Sequence, residues 1–263
     1  SLSNPQQVAV PHDFDYSYRE WAIADYDHCK VRIVSYSDAQ SESDIGTIGT
    51  AVGTGVCGDS GFATFGTPGT SYKLDHPSSV SATPDDQVLI ADSRNGRVIR
   101  WSQRNVSGPG TTQGADTVFE IAGSKVDTGA NEHCAVPADG SGASAAKFCD
   151  LWRVAAHPNA DDRRFLVIDD GCAANTGLCG AQAVLPHIYQ VFWNSVAGAW
   201  QIKTAAVGCS PTDTWECFTN PSGVTYTNRS NDEFLVADRD GNKVLQFTIA
   251  SNSSFGSRVA GGG

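Results

Sequence analysis

Four short apolar runs, each ended by an aspartate, punctuate the chain: Trp21-Ala-Ile-Ala-Asp25, Leu89-Ile-Ala-Asp92, Phe165-Leu-Val-Ile-Asp169 and Phe234-Leu-Val-Ala-Asp238. They predict equivalent β-strands near 19–25, 87–92, 164–169 and 233–238. Beyond three of the aspartates the chain passes through turn-formers and a basic residue. A second aliphatic run then begins at Val31, Val98 and Val244. Strand, tight turn and strand make a hairpin. In the third unit the matching run begins at Ile188, so an insertion carrying Cys172 and Cys179 lengthens the turn. Upstream of each aspartate stands a further strand signal: Pro11-x-x-Phe14, Pro77-x-x-Val80, Leu151-x-x-Val154 and Pro221-x-x-Val224. Still further upstream are small-residue strands ending in glycine: Ala51-Val-Gly53, Ile121-Ala-Gly123, Ala206-Val-Gly208 and Val259-Ala-Gly261. Strands of this kind repeated at a long, regular period predict an all-β array of four four-stranded units.

The sequence of these signals, with glycine closing one strand, proline opening another and A-D-x-x-N-g-r-V joining two more, resembles the NHL repeat. The stretches Pro77–Trp101 and Pro221–Phe247 carry the likeness best. The resemblance implies a β-propeller with one four-stranded antiparallel blade per unit. The blades are expected near 1–38 plus 258–263, 45–103, 118–194 and 200–249. The spacing from Gly208 to Pro221 equals that from Gly261 through the chain's end and on from its start to Pro11. The last strand, 258–261, is therefore expected to join the N-terminal strands, so that the termini share one blade and no sheet edge is left unpaired. The same spacing fits a strand donated to a neighbouring subunit, a head-to-tail contact that builds filaments.

Composition narrows the class. The 263 residues are 40% hydrophobic and 18% charged, a globular balance, and 27 glycines suit many turns. The net charge of −11 repels a phosphate backbone and argues against nucleic acid, including the RNA-binding role known for some NHL domains. No apolar stretch is long enough to span a membrane. Eight cysteines occur without a C-x-x-C pair. They read as disulfides of an oxidising compartment rather than a zinc ribbon. Local pairing gives Cys134–Cys149, Cys172–Cys179 and Cys209–Cys217, leaving Cys29 with Cys57, although spacing alone leaves other pairings open. Sequons at Asn105, Asn228 and Asn252 agree with secretion and N-glycosylation. The chain starts at Ser1 without a signal peptide, which reads as a processed or excised segment.

The recurrent aspartates Asp25, Asp92, Asp169 and Asp238 are read as structural, each carboxylate accepting backbone N–H bonds of the following turn. Six histidines are present, without a zinc-binding helical spacing, and His12 and His76 stand beside the repeat prolines. No G-x-S-x-G elbow, phosphate loop or other catalytic motif appears. No catalytic residue, metal ligand or cofactor is therefore assigned. The expected function is an extracellular structural, adhesion or binding scaffold. Its partner would be a protein or a glycan, with self-association into a polymer as a further role. The alternative is an enzyme at the propeller mouth. The resemblance supplies its type in the peptidyl-hydroxyglycine amidating lyases, which hold zinc with histidines.

Overall fold

The computed structural model describes residues 1–10, 18–37, 46–61, 66–105, 114–124, 134–159, 163–172, 183–209, 217–227, 233–249 and 257–261. Its strands form four antiparallel sheets. The first contains β1 (Pro5–Ala9), β2 (Tyr18–Asp25), β3 (Lys30–Ser37) and β4 (Thr47–Val52) in that order. The second contains β5 (Thr67–Pro68), β6 (Pro77–Ala82), β7 (Gln87–Asp92), β8 (Arg97–Ser102) and β9 (Thr117–Ala122). Here β6 to β9 lie in sequence order and β5 adds a short pairing outside β9. The third sheet repeats this plan with β10 (Ser141–Gly142), β11 (Leu151–Ala156), β12 (Arg164–Asp169), β13 (His187–Asn194) and β14 (Ala199–Val207), β10 lying outside β14. The fourth contains β15 (Pro221–Tyr226), β16 (Glu233–Asp238), β17 (Lys243–Thr248) and β18 (Ser257–Gly261). The fold is an all-β, four-bladed β-propeller.

By contacts the chain divides into two compact units, Ser1–Ile121 and Ala122–Gly263. Each has its own core. In the first, Ala22, Val31 and Val52 pack with Val80, Ile90, Ile99 and Tyr72. In the second, Leu166, Ile168 and Ile188 pack with Phe218, Phe234, Val236 and Phe247. A strand covered on both faces needs apolar residues at every position, not at alternate ones. That explains why Val88-Leu-Ile-Ala91 and Phe165-Leu-Val-Ile168 are unbroken apolar runs and fully buried. In β16 burial alternates instead, with Phe234, Val236 and Asp238 inside.

Each of the four expected Asp-ended strands is present, as β2, β7, β12 and β16. Two features of the expected layout are corrected. The first innermost strand is Pro5–Ala9, not Pro11–Phe14, which lie outside the described residues. The glycine-ended strand closes the blade that precedes it rather than opening the next. The last strand, β18, accordingly pairs with β17, Val244 facing Ala260, and the termini do not share a blade. The physical reason is chain connectivity. In the third blade only Ser195–Gly198 separate β13 from β14, and a turn so short makes the two strands antiparallel neighbours. The same pairing follows in the other three blades. With β18 used inside its own blade, the spacing argument for strand donation falls.

One polar device recurs in all four blades. The aspartate at the end of the second strand faces the first residue of the innermost strand: Pro5↔Asp25, Pro77↔Asp92, Leu151↔Asp169 and Pro221↔Asp238. Its carboxylate accepts the N–H of the residue two positions before that strand. The bonds are Ser3 N to Asp25 at 2.7 Å, Asp75 N to Asp92 at 2.7 Å, Cys149 N to Asp169 at 3.0 Å and Thr219 N to Asp238 at 3.2 Å. A turn amide beyond the aspartate bonds back to a lead-in carbonyl. These are Asp27 N to Ser3 O, Arg94 N to Asp75 O, Asp170 N to Asp150 O and Arg239 N to Asn220 O. The innermost strand is thus clamped at both a donor and an acceptor. The carboxylates bond chiefly backward to the lead-in segment rather than forward to the turn, though Gly171 N also donates to Asp169. A bulge follows at the second residue of every innermost strand.

Removing such a carboxylate strands buried donors. Asp92→Ala orphans the Asp75 N–H and one of the two N–H groups of the Asn95 amide. It is expected to cost about 3 kcal/mol, from the penalty for buried unsatisfied donors. Urea unfolding of the variant beside the wild type measures it.

Candidate functional site

The clamps lie where the loops between blades meet the turns between second and third strands, and most of the remaining chemistry gathers there. Gly53, at the end of the first blade, has φ of 107°. A Cβ at that position would collide with the Cys29 carbonyl oxygen, so only glycine turns the chain there. Its N–H then bonds Gly69 O, and Thr54 N bonds Tyr72 O. The next loop repeats both bonds, Gly123 N to Ala143 O and Ser124 N to Ala146 O. Each of these loops ends with a buried plug, Leu74 or Phe148, and Phe218 takes that place before the fourth blade.

Disulfides fasten the same segments. Cys29–Cys57, Cys134–Cys149 and Cys209–Cys217 are bonded, with Cα separations of 5.2, 5.0 and 5.7 Å. Cys29 sits in a turn between strands, and the other five lie in the loops that join blades. Cys172 Sγ lies 3.2 Å from Cys134 Sγ. Cys179, expected to pair with Cys172, lies outside the described residues. Each staple adds roughly 2–4 kcal/mol, largely by restricting the unfolded chain.

The described histidines each have a local partner. His28 Nδ1 is 2.9 Å from Asp25 Oδ2, and His76 Nδ1 is 2.5 Å from Asp75 Oδ1. His157 Nδ1 accepts Asn159 N–H at 3.2 Å, and its ring meets the Tyr226 ring edge-on at 4.5 Å. His187 bonds Leu185 O at 2.7 Å and stacks on Tyr189. His12 and His133 lie outside the described residues. Among the described residues two groups of side chains lie close enough to share a cation: Cys29, Cys57, Asp75 and His76, and Cys134, Cys149 and Cys172. Both are built on disulfide sulfurs, which lack the thiolate charge that metal binding uses.

Two polar clusters stand out. In the second blade, Arg97 donates to Glu120 Oε1 at 2.7 Å and to Gly61 O at 2.6 Å, and it also pairs with Asp59. Tyr72 OH donates to the same Glu120 oxygen at 2.9 Å. Burial, with the nearby Asp92 and Glu120 carboxylates, pushes the Tyr72 phenol well above its ordinary range. This network ties the 59–61 loop to its blade. In the third blade, Asp150, Asp169 and Asp170 crowd together. Asp170 is pushed up to about 7, first by burial and then by its two neighbours, against the opposing charges of Arg239 and Arg153. Asp92 is likewise pushed up to about 7, chiefly by burial. Sequence reading passed over Asp170, Asp150 and Arg97. Asp170 was findable as the second aspartate of an Asp-Asp pair at a strand end.

Of the sequons, Asn105 is exposed. Its Oδ1 accepts Ala115 N–H at 2.9 Å, a bond that leaves the glycan-bearing nitrogen unused. Asn228 and Asn252 lie outside the described residues.

The family model for the NHL repeat matches residues 74–101, the stretch that holds the lead-in, clamp and hairpin of the second blade. One stretch of this β-propeller thus carries the NHL repeat. Among solved structures it is similar to a structural genomics protein of unknown function from Bacteroides thetaiotaomicron VPI-5482. The TM-score is 0.50 at 12% identity, over 91% of this chain and 46% of that one. A "putative 6-phosphogluconolactonase" from Bacteroides uniformis ATCC 8492 matches at a TM-score of 0.43 and 14% identity, over 99% of this chain and 57% of that one. The first likeness shows the fold alone, and the second carries no argument. The chain spans about half the length of these structures. Among curated proteins none matches this chain.

The raised Asp170 gives a signed pH dependence. An unfolded aspartate titrates near about 3.9. Between that value and about 7 the folded chain holds the extra proton, so this group's contribution to stability falls as pH rises through the window. Asp170→Asn is therefore expected to raise the urea midpoint over wild type at about pH 8, and by less at about pH 5. Paired titrations at the two pH values check it.

Proposed function

We propose that this propeller is an extracellular, N-glycosylated binding scaffold that presents its stapled inter-blade loops to a protein or glycan partner. The observation that carries the reading is that all three described disulfides reach into loops between blades. Such pinning lowers the ordering cost of a binding surface before a partner arrives. Exposed apolar side chains stand beside the staples: Val56 next to Cys57 and Val136 close to Cys134. Isolated exposed valines are ordinary, but valines on pinned loops make contact area at little entropic cost. No helix among the described residues is long and apolar enough to cross a membrane.

The test is a glycan array together with a panel of purified extracellular proteins, probed with the folded, oxidised chain. Saturable binding is expected to weaken at least about tenfold in the Val56→Asp, Val136→Asp double variant, the loss of a small hot spot. Binding that survives unfolding and reduction would sink the scaffold reading. So would stoichiometric zinc in the purified chain with cleavage of a peptidyl-hydroxyglycine, which would install the lyase alternative.

Two further measurements address assembly and modification. Intact mass of chain secreted from eukaryotic cells is expected to exceed the bare mass and to fall after enzymatic deglycosylation. Light scattering then reads self-association directly: a concentration-dependent rise in mass supports a polymeric role, and constant monomer mass limits the function to binding.

A further inference from the structure

We infer that Cys29–Cys57 is a thiol-exchange site, at which an exogenous thiol forms a mixed disulfide on Cys57 while Cys29 leaves, assisted by His76. The two sulfurs are unequally placed. Cys57 is exposed on the 54–57 loop, whereas Cys29 is fully buried. An incoming nucleophile therefore meets Cys57 first. The sulfur that must accept the departing electron pair is Cys29, and donors already surround it. His76 N–H points at Cys29 Sγ at 3.4 Å, and His76 Nδ1 lies 4.0 Å from it. Asp75 Oδ1, 2.5 Å from the same Nδ1, holds the ring in place. The Tyr26 ring packs edge-on against the imidazole at 4.8 Å and fixes its other side.

Comparison between blades sharpens the assignment. Cys29 occupies the left-handed position just before the basic residue that opens the third strand, with φ of 50°. The second blade places Gly96 there, and the fourth places Asn242. Both tolerate this conformation, whereas a cysteine costs about 1 kcal/mol more. His76, with φ of 55°, stands where the first blade has Asn4, with φ of 53°. At two positions where the fold favours Gly or Asn, this pair of blades carries a cysteine and a histidine, and their side chains touch. Strain retained in this way marks a site that needs those side chains. The surroundings of Cys209–Cys217 differ. There the Cys209 sulfur lies 3.9 Å from the Phe218 carbonyl oxygen, which repels a developing thiolate.

The exchange balances as follows. The thiolate of a dithiol reductant attacks Cys57 Sγ, a new S–S bond forms and the Cys29–Cys57 bond breaks. The electron pair goes to Cys29 Sγ, beside the His76 backbone N–H and imidazole, and a proton from solvent completes the thiol. The second thiol of the reductant then displaces Cys57 as a thiol and leaves the reductant as its own disulfide. The loop is held independently of this bond. Thr54 N–H bonds Tyr72 O, Gly58 N–H bonds Leu74 O, and Asn95 Nδ2 donates to Gly58 O. Opening the disulfide therefore frees two thiols without releasing the loop from its blade.

The experiment exposes the folded, oxidised chain to limiting reduced glutathione, quenches by acid, alkylates, and maps each cysteine by mass spectrometry. Glutathione is expected on Cys57, with Cys29 free, before Cys209 or Cys217 opens. His76→Asn installs the residue that the first blade itself uses there, so the fold should persist by circular dichroism. The opening rate should drop at least about tenfold, below the roughly hundredfold that full general-acid catalysis supplies. His28→Asn, on a histidine of the same turn that bonds Asp25, should leave the rate unchanged. The inference is overturned by opening of Cys209–Cys217 as fast as Cys29–Cys57, by an unaltered rate in His76→Asn, or by all pairs opening together with loss of the fold.

Discussion

Four buried carboxylates set the geometry on which the rest of this propeller depends. Asp25, Asp92, Asp169 and Asp238 are each almost wholly buried. Burying a charge without partners costs several kcal/mol, so each must be hydrogen-bonded where it stands. The partner in every blade is the backbone lead-in to the innermost strand, reinforced by a turn amide returning to a lead-in carbonyl. A cation is the recurring cross-strand neighbour: Asp25↔Lys30, Asp92↔Arg97 and Asp238↔Lys243, with His187 opposite Asp169. The same group thus fixes where a blade begins, where its hairpin turns and which residue opens the third strand. Loops between blades start and finish at positions set by these carboxylates, and the staples and histidines are placed by the loops.

Much of this was legible in the sequence because it recurs. The Asp-ended strands were found by their unbroken apolar runs, which burial on both faces demands in β7 and β12. The blade phase was harder. A small-residue strand such as Ala51-Val-Gly53 looks alike whether it opens or closes a blade, since local pattern carries no information about the neighbouring strand. The information was in the turn Ser195–Gly198, too short for anything but a hairpin. The first innermost strand was misplaced for a related reason. Pro11 has the right neighbours at the right distance, yet Leu2-Ser-Asn-Pro5 is the true counterpart of Leu74-Asp-His-Pro77 and Phe218-Thr-Asn-Pro221. An apolar residue (a buried plug at Leu74 and Phe218, exposed at Leu2), a clamped residue, a turn residue and proline form a unit that only the three-dimensional clamp makes meaningful.

The candidate site was legible in part. Cysteines in glycine-rich loops point to staples, and three of the expected pairs are bonded. What spacing does not reveal is inequality among them: one sulfur buried beside an imidazole, another beside a carbonyl. Nor does sequence reveal that Asp150, Asp169 and Asp170 converge, because Asp150 lies a whole strand pair upstream of the other two. Burial first, and then the like charges of Asp169 and of the distant Asp150, raise Asp170 toward neutrality.

The third blade shows how far this plan can be altered. Its turn between second and third strands carries an insertion, yet Asp169 still faces His187 as Asp92 faces Arg97. The insertion is accommodated by prolonging the hairpin beyond the pair, with an isolated bridge between Cys172 and Val184. Gly171, at φ of 70°, turns the chain just after the clamp, and its N–H adds a bond to Asp169. Register is preserved because losing it would unseat a buried carboxylate, whereas lengthening the turn outside the pair costs only loop entropy, which grows slowly with length. The clamp therefore separates two kinds of position. Residues inside it are held to one chemistry, a carboxylate opposite a basic residue. Residues beyond it are free to become a cysteine staple, a histidine or an exposed valine, and those are the ones through which this propeller can differ from others built on the same repeat.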